Sequence, residues 1–290
     1  MGLAAALALS ACGSGGGDDD DVCMTNCGDA DGGAGTPDAD LDELVWTPLI
    51  TGEWTLAPGT ENTSDVHQVT LDRDIYVGAI RPIEPLGTHH TVLGSDSSTA
   101  GILYASGVGT NAVVFPEGVG LKFPAGATLS LQLHVYNVSD QTLAGTSGVE
   151  IVEVDPGAIT QEADLFLPGP LAFALPDGQE STVTGTCTLQ QNATLFALFP
   201  HMHQLGTHFK TTIIKGGEEI VLHDAPYDFN EQAFTRFDPI ELSAGDQVKT
   251  TCTWFNNLGD TVTWGESSNE EMCFSILYRY PVGSNEICTN

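Results

Sequence analysis

The chain has 290 residues, and its 39 Asp and Glu residues outnumber 8 Lys and Arg residues, which gives a net charge of −31. A surface this acidic repels polyanions, so nucleic-acid binding and electrostatic docking on anionic lipid headgroups are excluded. The length allows one large β domain or two of ordinary size.

The first twelve residues form a short apolar run that ends in Leu9-Ser10-Ala11-Cys12. This ending resembles the lipobox of bacterial lipoproteins. We therefore expect a lipoprotein-type signal over residues 1–12, a lipid on Cys12, and export to a bacterial cell envelope or surface. No Lys or Arg precedes the run, so either the start lies upstream or the run is a loose apolar N-terminus. Membrane contact is expected only through the lipid, since no other run is long enough to span a bilayer.

Residues 13–44 are rich in Gly, Asp, Ala, Ser and Thr. So few apolar groups cannot offset the entropy of ordering, and the segment is predicted to be a disordered acidic linker. Its aspartate runs invite a calcium interpretation, but the spacing of an EF-hand is missing, and we favour a solvated tether.

Beyond Leu44, short β-type runs alternate with Gly, Pro, Asn and Asp, and no long helical periodicity occurs. In the segment Thr128–Tyr136, Leu131 and Leu133 share one face with their apolar neighbours, whereas Gln132 and His134 share the other. The fold class is therefore predicted to be all-β.

The run Asp155-Pro156-Gly157 interrupts the strand pattern and places a domain boundary near residue 160. Each half then has the usual size of an antiparallel sandwich. We predict two antiparallel, jelly-roll-like β-sandwich domains, over residues 45–160 and 161–290. Internal repeats are not evident from residue identity.

The segment FPHMHQLG contains His201 and His203, which project to the same side of a strand and can offer two imidazoles to one ion. Two packed histidines on a buried strand are the alternative. His89 and His90 are adjacent and point to opposite faces, so both can bind one ion only with a bulge or through an Nδ1 atom. His134 could complete a three-histidine site for copper or zinc, unless it simply faces solvent.

The segments THH, LQLHVYN, FPHMHQLG and GESSNEEMCFSILYRYP resemble, in this order, the copper type II, ascorbate-dependent monooxygenases. The resemblance implies an electron-transfer copper held by His89, His90 and His134. It also implies an oxygen-binding copper held by His201, His203 and Met272, the residues with the catalytic role. A thioether ligand favours Cu(I) and so supports copper over zinc.

Six cysteines follow Cys12, an even number that suits three disulfides in an exported protein, but fifteen pairings are possible. The resemblance implies the pairs Cys187–Cys288 and Cys252–Cys273, which leaves Cys23–Cys27 as a local pair. It further implies C–H hydroxylation with O2, two coppers per chain, and an external electron donor such as ascorbate.

In peptide-amidating members of the family, polar residues grip the substrate carboxylate where this chain has Phe199, Phe274 and Ile276. Apolar side chains cannot make charge-assisted hydrogen bonds. We therefore expect a small-molecule or peptide substrate that presents an apolar or aromatic C–H, without amidation of glycine-extended peptides.

Two other classes stay open at this point: a non-catalytic copper-binding lipoprotein, and an adhesive β-sandwich without metal. Three further histidines match no ligand position in the family. His208 is interpreted as a possible supporting group, and His67 and His223 are interpreted as surface residues.

Overall fold

The computed structural model describes residues 41, 43–98, 101–265, 270–284 and 286–288. The predicted signal, Cys12, the Cys23–Cys27 pair and nearly all of the linker lie outside this set. Within it, the regular structure is β-strand apart from one 3-10 turn at Pro156–Ala158, so the all-β prediction is confirmed. The described part of the chain contains no helix with the length and hydropathy that crossing a bilayer requires.

Among the described residues, the first half has nine strands and the second half has eleven. Those of the first half are β1 (Thr47–Leu56), β2 (Glu61–Thr70), β3 (Ile75–Ile83), β4 (Thr88–Ser95), β5 (Ile102–Gly107), β6 (Val113–Val114), β7 (Val119–Phe123), β8 (Thr128–Tyr136) and β9 (Leu143–Glu153). Those of the second half are β10 (Gln161–Pro168), β11 (Ala174–Leu175), β12 (Glu180–Thr188), β13 (Ala193–Met202), β14 (Gly206–Lys215), β15 (Glu218–Pro226), β16 (Thr235–Leu242), β17 (Gln247–Phe255), β18 (Val262–Thr263), β19 (Cys273–Tyr280) and β20 (Ile287–Cys288).

Both halves repeat one strand order. The first half pairs its strands as β1-β9-β3-β7 and β2-β8-β4-β5, and the second pairs them as β10-β19-β13-β16 and β12-β17-β14-β15. Strands β7 and β10 pair in parallel, with Val119 opposite Gln161 and Leu121 opposite Ala163. One long sheet therefore runs through both halves, across the position where the sequence predicts a domain boundary.

A buried asparagine closes the same corner in each half. The Asn137 side chain donates to the backbone oxygens of Leu56 and Gln141, at 3.1 and 2.8 Å. The Asn256 side chain donates to those of Leu175 and Asp260, at 2.7 and 2.8 Å. Neither asparagine is exposed to solvent, and the matching bonds mark a repeat that residue identity does not reveal.

Burial follows from the position of each strand. Strand β8 alternates between buried and more exposed residues, as predicted, because only one of its faces lies on the core. Strand β13 is almost continuously buried because both of its faces are covered. Leu195 and Leu198 pack within the second half, while Phe196 and Phe199 belong to an apolar cluster shared with the first half.

Two disulfides brace the second half. Cys187 is bonded to Cys288, with 5.6 Å between their Cα atoms, and Cys252 is bonded to Cys273, with 6.0 Å. Both pairs agree with those implied by the family resemblance. Such bonds are typical of proteins that fold in an oxidising, exported compartment.

Candidate metal centres

Three histidines from the first half converge at the ends of β4 and β8. His90 lies opposite His134 across the two strands, and the register shifts between Thr88 and His90, which leaves His89 in a bulge. The bulge turns two adjacent side chains to one side. His90 Nδ1 then lies 2.7 Å from His89 Nδ1 and 3.5 Å from His134 Nδ1.

The outer nitrogen of each of these rings faces a hydrogen-bond acceptor. His89 Nε2 lies 2.9 Å from Asn230 Oδ1, His90 Nε2 lies 3.2 Å from the Phe229 backbone oxygen, and His134 Nε2 contacts a Glu61 carboxylate oxygen. With a proton on each Nε2 atom, the three Nδ1 lone pairs face one another. Ring orientation by outer acceptors of this kind is the usual arrangement around metal-binding histidines.

The donor set fits a metal ion. The three ligand atoms all lie within 4.8 Å of one another. An ion bound about 2 Å from each nitrogen needs nitrogens about 3 to 4 Å apart, so the 3.5 Å separation fits and the 2.7 Å separation of His89 and His90 needs only a small widening. Burial and the neighbouring His89 lower the pKa of His90 to about 3. Burial also lowers the pKa of His134. Both rings are therefore neutral at physiological pH, as metal ligands must be.

The second histidine pair lies at the end of β13. The ring centroids of His201 and His203 are 5.3 Å apart. His203 Nδ1–H donates to the Glu270 backbone oxygen at 2.9 Å, and His201 Nδ1–H donates to Gln232 Oε1 at 3.2 Å. These bonds leave both Nε2 atoms as the available ligand atoms, in contrast to the Nδ1 atoms of the first set. Burial and His203 lower the pKa of His201 to about 4.

Met272 belongs to a segment that is fastened beside this pair. The next residue, Cys273, lies opposite Met202 in the ladder between β13 and β19. The preceding residue, Glu271, is fully buried, and its carboxylate accepts the backbone N–H groups of His203 and Leu205 at 2.9 and 2.7 Å. Met272 therefore lies in the chain between two residues that are held to the end of β13.

Residues 227–232 of the second half lie between the two histidine sets. The ring centroid of Phe229 lies 4.6 Å from that of His90 and 6.4 Å from that of His203. The Gln232 side chain contacts both sets, since its Nε2 lies 3.1 Å from His90 Nε2 while its Oε1 accepts from His201. Gln232 Nε2 also donates to the Phe229 backbone oxygen at 2.9 Å.

The three predicted substrate-pocket residues lie next to His201. Phe199 is opposite Ile276, and His201 is opposite Phe274, across β13 and β19. Their exposed fractions are 1% for Phe199 and 5% for Phe274 and for Ile276. They form an apolar wall beside His201, inside the cluster shared by the two halves.

A surface cleft of about 520 Å³ opens onto the first histidine set, with His89, His134, Tyr136, Glu61 and Asp228 among its lining residues. The remaining histidines are part of neither set. His208 Nε2 lies 3.3 Å from Asp224 Oδ1. His67 and His223 are half-buried rather than surface residues, beside Asp65 and Thr235 respectively.

The second half of the chain is similar to a known protein family. Residues 163–290 match the family described as Copper type II ascorbate-dependent monooxygenase, C-terminal domain. The second half of the chain is therefore similar to the C-terminal domain of this copper monooxygenase family. Dopamine beta-hydroxylase of Canis lupus familiaris is 25% identical over 209 residues, which cover 64% of this chain and 33% of that protein. The chain thus spans about a third of the length of this relative.

Solved structures give weaker similarities. The structure of PNGF-II aligns with a TM-score of 0.33 at 9% identity, covering 84% of this chain and 66% of that chain. A turret protein of Sulfolobus turreted icosahedral virus gives 0.19 at 13% identity, covering 82% and 98%. Scores this low carry no argument about fold or function.

Sequence reasoning missed the groups that orient the histidines. These groups belong to four ordinary polar residues, Glu61, Asn230, Gln232 and Glu271. Their roles depend on contacts with residues that are distant in the sequence. Only Glu271 has a local signal, because it directly precedes the Met-Cys pair. The other three lie in segments that resemble no motif used in the prediction.

Proposed function

We propose that this chain is a copper-dependent monooxygenase that hydroxylates a C–H bond with O2 and an external reductant. The supporting observation is the pair of histidine sets, in which one nitrogen of each ring is hydrogen-bonded and the other is left to bind a metal ion. The overall change consumes O2, two electrons and two protons, and yields the alcohol and water. Copper, when bound, supplies one-electron redox chemistry and activation of O2.

We assign the electron-accepting site to His89, His90 and His134, and the oxygen-binding site to His201, His203 and Met272. Within this assignment, Glu61, Asn230 and the Phe229 carbonyl keep the first three rings oriented, and the Glu270 carbonyl orients His203. The thioether of Met272 is a soft, neutral donor that favours Cu(I). Two coppers per chain follow from the two sets.

The apolar wall beside His201 determines the substrate class in this proposal. Phe199, Phe274 and Ile276 exclude water and offer no partner for a carboxylate, so a substrate with an apolar or aromatic C–H is favoured. In keeping with its disulfides, we place the protein outside the cytoplasm, held at a bacterial envelope through Cys12.

The test measures copper and oxygen in the same preparations. We expect two coppers per chain and reductant-dependent O2 uptake, with a gain of one oxygen atom in a substrate found by screening small aromatic and apolar compounds. Met272→Ala and His134→Ala should abolish uptake, whereas His208→Ala, which alters neither set, should retain it. Absence of bound copper would reject the proposal.

A copper-storing or copper-delivering protein is the second candidate. The observation that favours it is the near-complete burial of Phe199, Phe274 and Ile276, while the open cleft borders the other histidine set. Two bound coppers without O2 uptake, with any donor tested, would select storage over catalysis.

A further inference from the structure

The cleft beside the first histidine set has the dimensions of a small-molecule site. Its volume of about 520 Å³ falls within the usual range for ligand pockets. His89 and His134 form part of its lining, so a molecule in the cleft reaches the electron-accepting site of the proposed enzyme directly. The inference below rests on that proposed function and concerns the chemical class of the donor.

The charges that line this cleft are negative. Glu61 and Asp228 belong to the lining, and none of the described lining residues is Lys or Arg. Six of the eight Lys and Arg residues in the sequence form ion pairs with carboxylates instead. A Cu(II) ion held by three neutral imidazoles adds two positive charges, which the two carboxylates balance. The net charge of −31 then dominates the field that an approaching molecule meets.

The cleft also presents aromatic surface. Tyr136 has an exposed fraction of 43%, and Tyr227 and Phe229 are among the other lining residues. Phe229 also packs against His90, so the aromatic part of the lining adjoins the first histidine set. Aromatic surfaces favour stacking with flat rings and attract cations over their faces.

We infer that the electron donor of this protein is a small planar molecule without negative charge, such as a neutral hydroquinone, and that it docks in this cleft. Ascorbate is an anion at neutral pH. It is therefore disfavoured by the carboxylates of the cleft and by the net negative charge of the protein. A hydroquinone that becomes a quinone releases two electrons and two protons. The two electrons suffice for one hydroxylation, and the protons pass to solvent.

The experiment follows the loss of the Cu(II) EPR signal after anaerobic mixing of the copper-loaded protein with one donor at a time. The donors are ascorbate, hydroquinone and hexaammineruthenium(II), each at about 10 mM and about 200 mM ionic strength, where screening differs strongly. We expect the ascorbate rate to rise with salt, the hydroquinone rate to stay constant and the ruthenium rate to fall. The rate for each donor at low salt is compared with the rate for the same donor at high salt. Differences in redox potential between the donors therefore do not affect the comparison.

Variants then locate the effect. Asp228→Asn removes one charge but keeps a side-chain oxygen that can accept the Asn230 backbone N–H. It should accelerate the reduction of Cu(II) by ascorbate about twofold at low salt. Glu241→Gln removes one charge from an exposed position on β16, away from the cleft, and should change the rate much less. Tyr136→Leu removes a stacking surface and should slow the reduction of Cu(II) by hydroquinone about fivefold, with little effect on reduction by the ruthenium donor.

An ascorbate rate that falls with rising salt would overturn the inference, and so would equal effects of Asp228→Asn and Glu241→Gln. Protein that holds no Cu(II) would instead reject the proposed function, so the two failures are distinguishable.

Discussion

The two halves share a strand order and a buried asparagine corner, yet they place their histidine sets on different strands. The first half uses β4 and β8 of its smaller sheet, and the second uses the end of β13 in the long sheet. The second half even repeats the bulge of the first, because its register shifts between Gly206 and His208. There, however, Thr253 lies opposite His208, where the first half has His134 opposite His90. The fold supplies the geometry, and the side chains decide whether a metal site results.

Replacing His134 gives the largest expected effect. His134→Ala removes one of three nitrogens, so copper affinity at the first site should fall at least about 100-fold, and bound copper should decrease from two ions to one. Thr253→Ala, at the matching position of the second half, should retain both ions. Elemental analysis after dialysis checks this result, and full copper content in His134→Ala would contradict the assignment.

The halves also differ in covalent bracing, since the first half has no disulfide among its described residues. Removing the bond between Cys252 and Cys273 with alanine at both positions should lower the free energy of unfolding by about 3 kcal/mol. It should also loosen the segment that contains Met272. Urea unfolding measures the first effect, and sulfur scattering in copper X-ray absorption measures the second. Unchanged values in both measurements would show that packing alone holds this segment.

The first half contains a buried carboxyl group that weakens it at high pH. Burial raises the pKa of Glu84 to about 7, and its Oε1 atom is buried without a hydrogen-bond partner. The folded state therefore retains a proton that the unfolded chain releases, and stability falls as pH rises from about 4.5 to 7. Glu84→Gln should add about 2 kcal/mol to the free energy of unfolding at pH 8, after allowance for solvent screening, and almost nothing at pH 4.

The control for Glu84→Gln is Glu241→Gln, which removes a carboxylate from an exposed site. Denaturant titrations of both variants at the two pH values are the measurement. An equal gain at pH 4 and pH 8 would assign the effect to packing rather than to ionisation.

The smallest effect is expected in the segment that joins the two sets. Gln232→Leu removes contacts to His90 and His201, so copper affinity should fall about tenfold at both sites. Asn230→Ala removes a contact to His89 alone and should affect only the first site. Glu231→Ala, an exposed residue of the same segment, is the control. Competition with Cu(I) chelators gives the affinities, and an effect of Gln232→Leu confined to one site would rule out a bridging role.

Local periodicity predicted the parts of this structure that depend on neighbouring residues. The alternation in β8, the shared side of His201 and His203, and the need for a bulge at His89 all follow from strand geometry. The prediction that Met272 is a metal ligand came only from the family resemblance, because nothing in its spacing relates it to His203. Residues 227–232 could not be predicted, since their contacts with His89 and His90 join positions about 140 residues apart and depend on how the halves pack.

The parallel pairing of β7 with β10 restricts how this protein can move. Backbone hydrogen bonds and a common apolar interior join the halves, so swinging them apart as rigid lobes would break the sheet itself. The sheet therefore fixes the separation of the two histidine sets, and rearrangement of residues 227–232 would change what lies between the sets rather than how far apart they are.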